Sequence, residues 1–190
     1  MGRVVDVVIR PITLADVEQF QRVTDAVMRE RRFLAFVEGF PIEEAAAFVA
    51  RNLRLRNPQF VADDGGRVVG WCDIRRETIP VYAHVGHLGM GLLPDYRGRG
   101  IGLRLLQAAI DAARAVGFER IELSVYGRNA RAAALYRKAG FVHEGTRVRG
   151  KKVDGEYDDV HIMGLILCEP EGPPRSAGDT GCHQKRVARR

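Results

Sequence analysis

Arg97-Gly98-Arg99-Gly100-Ile101-Gly102 is the stretch whose residue types and spacing could do chemistry. Pro94, just before it, has no N–H to give a strand ladder, so a strand ends there. From Ile101 onward, Ile101, Leu105, Ala108, Ala109, Ala112 and Val116 recur at helical spacing, which predicts a helix beginning near Gly100. The first N–H groups of a helix have no partner inside it, and the helix dipole adds about half a positive charge there. Gly98, Gly100 and Gly102 leave those groups uncovered by side chains, and Arg97 and Arg99 add positive charge. A turn of this kind holds a phosphate group. The spacing excludes two common phosphate loops. A G-x-G-x-x-G pattern started at Gly98 would need glycine where Leu103 stands, and no Gly-Lys-Ser/Thr sequence closes a P-loop.

The elements that must position this turn can be read in chain order. Residues 4–10 alternate loosely up to Pro11 and read as a first strand. Thr13 with Asp16 three positions on resembles a capping box, and Leu14, Val17, Phe20, Val23, Thr24 and Val27 continue at helical spacing. Residues 30–41 form an aromatic-rich connection, and a second helix is expected over 42–56. Residues 59–62 and 67–77 read as a hairpin around Asp63-Asp64-Gly65-Gly66. A strand over 83–93 leads into the anion turn. Its Gly86, Gly89 and Gly91 point to a bulge or to close approach by another backbone. A helix over 100–116, a strand over 120–125, a helix over 129–139 stopped by Gly140, and strands over 141–148 and 156–167 complete the order. This is an α+β arrangement around one mixed sheet, without internal repeat, occupying residues 1–168. Residues 169–190 are expected to be a disordered basic tail.

Composition narrows the function class. The chain has 190 residues, 46% of them hydrophobic, which suits one domain with its own core. No apolar run is long enough to span a bilayer, and Asp6 interrupts any leader at the N-terminus, so no membrane partner is expected. Cys72, Cys168 and Cys182 show neither metal nor disulfide spacing; no metal is expected, and a reducing cytoplasm is the default location. The net charge is +6, of which residues 169–190 supply +2 from five Lys/Arg against three Asp/Glu. Aromatic residues are not interleaved with the basic ones, so nucleic acid is not the expected partner. A cofactor with several phosphate charges would use the surplus arginine instead.

R-x-x-G-x-G, with Arg97, Gly100 and Gly102, resembles the pyrophosphate-binding motif of the GNAT N-acetyltransferase superfamily. The preceding Leu92-Leu93-Pro94-Asp95-Tyr96 and the amphipathic helix after it resemble that family too. So does the run from Ser124 through Asn129 to Leu135-Tyr136 and Gly140-Phe141. The order of elements over about residues 4–168 is similar as well. The resemblance implies a single domain whose central sheet is splayed at the cofactor site and flanked by about four helices. It also implies acetyl-coenzyme A as co-substrate and direct transfer of its acetyl group to a primary amine. Cofactor contacts would come from Leu92, Leu93, Arg97, Gly98, Arg99, Gly100, Ile101, Gly102 and Asn129. In that frame the backbone of Leu92 and Leu93 would pair with the pantetheine arm, and an N–H near Leu92 would stabilise charge on the thioester oxygen.

Tyr136 is the candidate general acid toward the departing sulfur; it lies seven positions after Asn129, on the same face of a helix. A packed helix tyrosine is the plain alternative. The attacking amine must lose a proton, and His87 is the candidate base, set against a strand histidine bonded to a carbonyl. Glu30, Asp158 and Asp159, acting through water, are further options.

The acceptor pocket would fall between residues 29–42 and 147–158. Phe33, Phe36 and Phe40 would form an apolar wall there, and Glu43, Glu44, Asp154, Glu156, Asp158 and Asp159 would attract a cationic amine. Asp154-Gly155-Glu156-Tyr157-Asp158-Asp159 followed by Met163 resembles members that acetylate amino acids or other small amines. A small-molecule amine is therefore the expected partner. Transfer to a protein N-terminus or lysine is the near alternative, and a non-catalytic acyl-CoA-binding module the distant one. The resemblance also admits a homodimer, for which no stretch marks an interface.

Overall fold

In a computed structural model, which describes residues 7–168, seven strands make one mixed sheet. They are β1 (Val8–Pro11), β2 (Gln59–Asp64), β3 (Arg67–Arg76), β4 (Val85–Leu92), β5 (Arg120–Tyr126), β6 (Val142–Val153) and β7 (Glu156–Ile166), and their order across the sheet is β1-β2-β3-β4-β5-β7-β6. Every neighbouring pair is antiparallel except β4 with β5. The expected tail at 169–190 and the first residues of the expected opening strand lie outside the described residues.

Four α-helices cover the sheet: α1 (Val17–Met28), α2 (Ile42–Arg54), α3 (Ile101–Ala115) and α4 (Ala130–Lys138). Period-two side-chain alternation divides the strands between two cores. Cys72, Ile74, Ile121, Leu123 and Met163 pack on Leu105, Leu106, Ala109 and Ile110 of α3 and on Ala133 and Tyr136 of α4. On the other face Val61, Val68 and Trp71 pack on Phe20, Val23 and Val27 of α1 and on Ala45 and Val49 of α2. Phe20 joins these layers, stacking on Phe48 with ring centroids 5.9 Å apart and meeting Trp71 edge-on at 6.0 Å.

The start of α1 shows how the sequence fixes an element. A short 3-10 turn (Leu14–Asp16) precedes it, and the Asp16 carboxylate accepts from the Thr13 backbone N–H at 2.8 Å. Arg10 on β1 also clamps Asp16 with two bonds of 2.7 Å, tying the helix entry to the sheet edge.

Two expectations need correcting. β6 runs to Val153, well beyond 148, because its register shifts at 143/145 and again between Arg147 and Lys151, where Arg149 takes φ 53. Extra residues in a bulge break the alternation that marks a strand in sequence. And β4 carries no bulge: its pairing with β3 is unbroken from Gly86 to Leu92. Its glycines instead make room for β3 side chains. A Cβ at Gly91 would collide with the Trp71 ring, and one at Gly86 would lie 2.5 Å from Ile74.

Candidate active site

A gap in the sheet organises the site. β4 and β5 pair over three positions, Val85 with Arg120, Gly86 with Ile121 and His87 with Glu122. β4 then runs on to Leu92 and β5 to Tyr126 without pairing, while β5 stays bonded to β7 along its length. The Leu93 N–H donates to the Val69 carbonyl at 2.9 Å. Alternation along an antiparallel ladder then assigns the backbone groups of Gly91, Gly89 and His87 to β3, and turns those of Leu88, Met90 and Leu92 toward the gap. Leu93 therefore has no free N–H, contrary to the expectation from sequence. Met90, which the sequence did not single out, offers its backbone instead.

At the end of the gap the chain makes a 3-10 turn (Pro94–Tyr96), held by a bond of 2.6 Å from the Tyr96 hydroxyl to Asp64, and then enters α3. Gly100 is the N-cap residue, in the left-handed conformation at φ 80, and Gly98 takes φ 79. Non-glycine residues pay steric strain at such angles. The N–H groups of residues 98–102 find no protein acceptor among the described residues; the first bond to the helix is Leu103 N–H to Gly100 C=O at 3.1 Å. Five consecutive donors thus converge at the positive end of a fifteen-residue helix. Nothing lies within 4 Å of where a Gly100 Cβ would be, so the approach is open. The Arg131 guanidinium of α4 lies directly against Gly98 and adds positive charge that the sequence reading missed.

Arg97 does something other than expected. Its guanidinium is committed to both oxygens of Glu30, the NH1 bond measuring 2.8 Å, and its Nε donates to the Leu92 carbonyl at 2.8 Å. It also lies over the Phe33 ring, 5.1 Å from its centroid. Arg97 fastens the connection after α1 to the end of β4, and Glu30 is spent in that pair.

Asn129 is the N-cap of α4, seven residues before Tyr136. Its side-chain oxygen accepts from Ala132 N–H at 3.2 Å, which leaves the amide nitrogen for a ligand. Tyr136 is buried on the same face of the sheet as α3, packed edge-on against Phe141 at 5.9 Å and close to Cys72. Burial pushes its phenol above the ordinary range, with the neighbouring Cys72 adding to the effect, and no hydrogen bond from the described residues offsets it. Leu135, one residue earlier, reaches toward Gly102, within 3.5 Å of where its Cβ would stand.

The opposite face carries a cavity of about 600 Å³ between α1, α2 and the open end of the sheet. Phe33, Phe36 and Phe40 line it as the sequence suggested, together with Phe20, Phe48 and Trp71. His87 lines it too, its Nε2 lying 3.1 Å from Glu77 Oε2. Glu44 and Glu122 reach the wall, the latter held by Arg120 at 2.7 Å. Asp154 and Glu156 are taken up by Arg31 and Arg128 at a separate polar cavity of about 400 Å³. The sequence missed Asp73. It sits on β3 facing the larger cavity, 3% exposed, and burial raises its carboxyl to about 6 although Arg75 pulls it down. A lone acid inside Val68-Val69-Gly70-Trp71-Cys72-Asp73-Ile74 was the available signal.

Comparison with known proteins agrees with this geometry. The chain is 33% identical over 109 residues to the L-amino acid N-acetyltransferase AaaT of Escherichia coli, a match that spans 57% of this chain and 67% of that protein. It is 33% identical over 169 residues to an N-alpha-acetyltransferase of Sulfurisphaera tokodaii, spanning 84% and 92%. A GNAT acetyltransferase of Streptococcus pneumoniae superposes with a TM-score of 0.80 at 29% identity, covering 85% of this chain and 99% of that one. The sequence model of the Acetyltransferase (GNAT) family matches residues 23–141, which include the anion turn, the gap and the start of α4 through Phe141. The chain belongs to the GNAT acetyltransferase family.

Proposed function

We propose that this acetyl-coenzyme A-dependent acetyltransferase acts on the primary amine of a small molecule, an amino acid or simple amine, by direct attack. The observation that carries the reading is the row of unaccepted N–H groups at 98–102 beside the gap between β4 and β5. The residues fit a diphosphate: five donors, a helix dipole, Arg99 and Arg131, with no carboxylate bonded to them among the described residues. Gly98, Arg99, Gly100, Ile101 and Gly102 would hold it, and Asn129 would offer its amide nitrogen from α4. Along the gap, the Leu88 carbonyl and the backbone of Met90 supply strand-like partners to the amides of the pantetheine arm, the Leu92 carbonyl being held by Arg97. The cofactor supplies an acetyl group activated as a thioester.

The remaining work belongs to protein groups. The Leu92 N–H, on the gap side, is assigned to the oxygen that gains charge; removing one such donor costs about a hundredfold or more in rate. Tyr136 gives its proton to the departing sulfur; a phenol carries that proton at neutral pH, and burial raises its value further. His87, on the wall of the acceptor cavity, passes the amine's proton to water. A cytoplasmic location belongs to the same reading.

Similarity to an amino-acid N-acetyltransferase supports a small acceptor. Similarity to an N-alpha-acetyltransferase over most of the chain supports a second reading, transfer to a protein N-terminus. Thiol release from acetyl-coenzyme A in the presence of amino acids, simple amines, polyamines and peptides decides between them. Turnover of small amines is expected; turnover of peptides alone would overturn the small-molecule reading. Binding of acetyl-coenzyme A without turnover of any amine would leave only an acyl-CoA-binding module.

A further inference from the structure

Asp73 is the buried acid of the acceptor cavity, and its surroundings describe what it binds. Its Oδ2 takes no hydrogen bond among the described residues. Arg75 Nε comes to 3.1 Å of that oxygen but out of hydrogen-bond alignment, and its half-exposed side chain leans over the Phe48 ring at 5.8 Å. The residue paired with Asp73 on β4 is Gly89, and a Cβ there would lie 3.3 Å from Asp73 Oδ1. With no side chain at 89, nothing from that position stands over Oδ1 beside the point where β4 and β5 part. Burial raises the carboxyl, and Arg75 and the neighbouring Trp71 side chain pull it down without overcoming that burial. A buried carboxylate with an oxygen left unsatisfied is costly, and such groups concentrate at sites that bind or react.

The rest of the cavity says what carries the partner. Phe20, Phe33, Phe36, Phe40, Phe48 and Trp71 surround it. Of the other charged or titratable groups lining the cavity, Glu44 on α2 and Arg147 on β6 are exposed at the rim, Glu122 on β5 is paired with Arg120, Tyr126 on β5 is half-buried with its phenol pushed up by burial, and His87 on β4 is bonded to Glu77. A protonated primary amine has the charge and the N–H donors to satisfy the oxygen that Arg75 leaves unbonded, and an aromatic or bulky apolar body fits the walls.

We propose that Asp73 receives the acceptor's ammonium group and takes its proton, and that the acceptor is a primary amine borne on an aromatic body. This rests on the acetyltransferase reading above and narrows its substrate class. In the step, one N–H bond of the ammonium breaks and an O–H bond forms at Asp73. The electron pair stays on nitrogen, which becomes the neutral nucleophile, and His87 or water later carries the proton to solvent. The dry cavity favours this exchange from both sides. It raises the carboxyl to about 6 and lowers the basicity of a buried ammonium.

The test uses the full chain and four probes: 2-phenylethylamine, L-phenylalanine, spermidine and a short peptide. Calorimetry on the cofactor-free protein reads amine binding, and thiol release reads turnover. The aryl amines are expected to bind more tightly than spermidine or the peptide, and D73N should weaken that binding at least about tenfold. D73N should also lower kcat/KM about a hundredfold or more and remove its rise through pH 6, with acetyl-coenzyme A affinity unchanged. Equal amine affinity and an unchanged pH profile in D73N, or preference for spermidine or peptide, would overturn the proposal. If D73N fails to fold, G89V decides: covering Oδ1 should abolish amine binding, and unaltered binding counts against Asp73. Failure of the wild-type chain to bind acetyl-coenzyme A would instead overturn the enzyme reading, which the amine titration does not depend on.

Discussion

Asp73→Asn should make the protein more stable as pH rises, relative to wild type, even as it removes function. Burial holds the Asp73 carboxyl at about 6, against a usual value of 3.8. A carboxyl whose pKa is raised by folding keeps its full stability while protonated, below about pH 4, and loses it as pH rises through about 6. Each unit is worth about 1.4 kcal/mol, so ionised Asp73 weakens the fold by about 3 kcal/mol at pH 8, and a few tenths of this already apply at pH 4. The amide of the variant does not titrate. The difference in stability between variant and wild type should therefore move in the variant's favour by about 2–3 kcal/mol from pH 4 to pH 8, or about 5–10 °C in Tm for a domain of this size. Taking this difference cancels every other titrating group and any fixed cost of the amide. Urea or thermal unfolding of both proteins at pH 4, 6 and 8 measures it. Parallel stability profiles, or a variant that loses ground as pH rises, would refute a buried, ionised Asp73.

Asp16 gives the opposite sign. The hydrogen bonds from Arg10, followed by those from Thr13, hold its carboxyl at about 2, so its contribution is present above 3.8 and lost as pH falls through about 2. Asp16→Asn should cost about 2 kcal/mol at pH 7, and unfolding curves should show the deficit closing below pH 4. Tyr136→Phe should lower kcat about a hundredfold with acetyl-coenzyme A affinity intact; an unchanged kcat across pH would remove the role assigned to the phenol. Gly100→Asp forces a side chain onto φ 80 and sets a carboxylate among the free amides, so calorimetry should show acetyl-coenzyme A affinity falling steeply. Arg97→Ala should raise the acceptor KM more than it weakens acetyl-coenzyme A, because Arg97 holds Glu30 and the cavity wall; the reverse pattern would make it an anion ligand after all.

Much of the fold was legible because its signals are local. Helical spacing from Ile101 gave α3, and the mixture of strands and helices gave one mixed sheet. The glycines of the anion turn were legible for the same reason, since Gly98 and Gly100 adopt backbone angles that other residues avoid. What the sequence hid depends on partners distant in the chain. Arg97 meets Glu30 across 67 residues, and only the folded chain shows that this pair diverts its charge from the anion turn. Leu93 and Met90 exchange roles because one hydrogen bond to Val69 sets the phase of the β4 ladder. Asp73 lay unnoticed in an apolar strand because its meaning comes from Gly89 opposite and from helices packed over the cavity. The bulges of β6 erased the alternation by which strands are read.

The central claim is that the bare amides at the head of α3 grip the diphosphate of the acetyl donor. Amide NMR shifts of an isotopically labelled chain, followed as coenzyme A is added, test it most directly. The N–H signals of residues 98–102 should move downfield together, as donors do on meeting phosphate oxygens, and with acetyl-pantetheine they should stay in place. Signals that remain still with coenzyme A while others elsewhere in the chain shift would contradict the account.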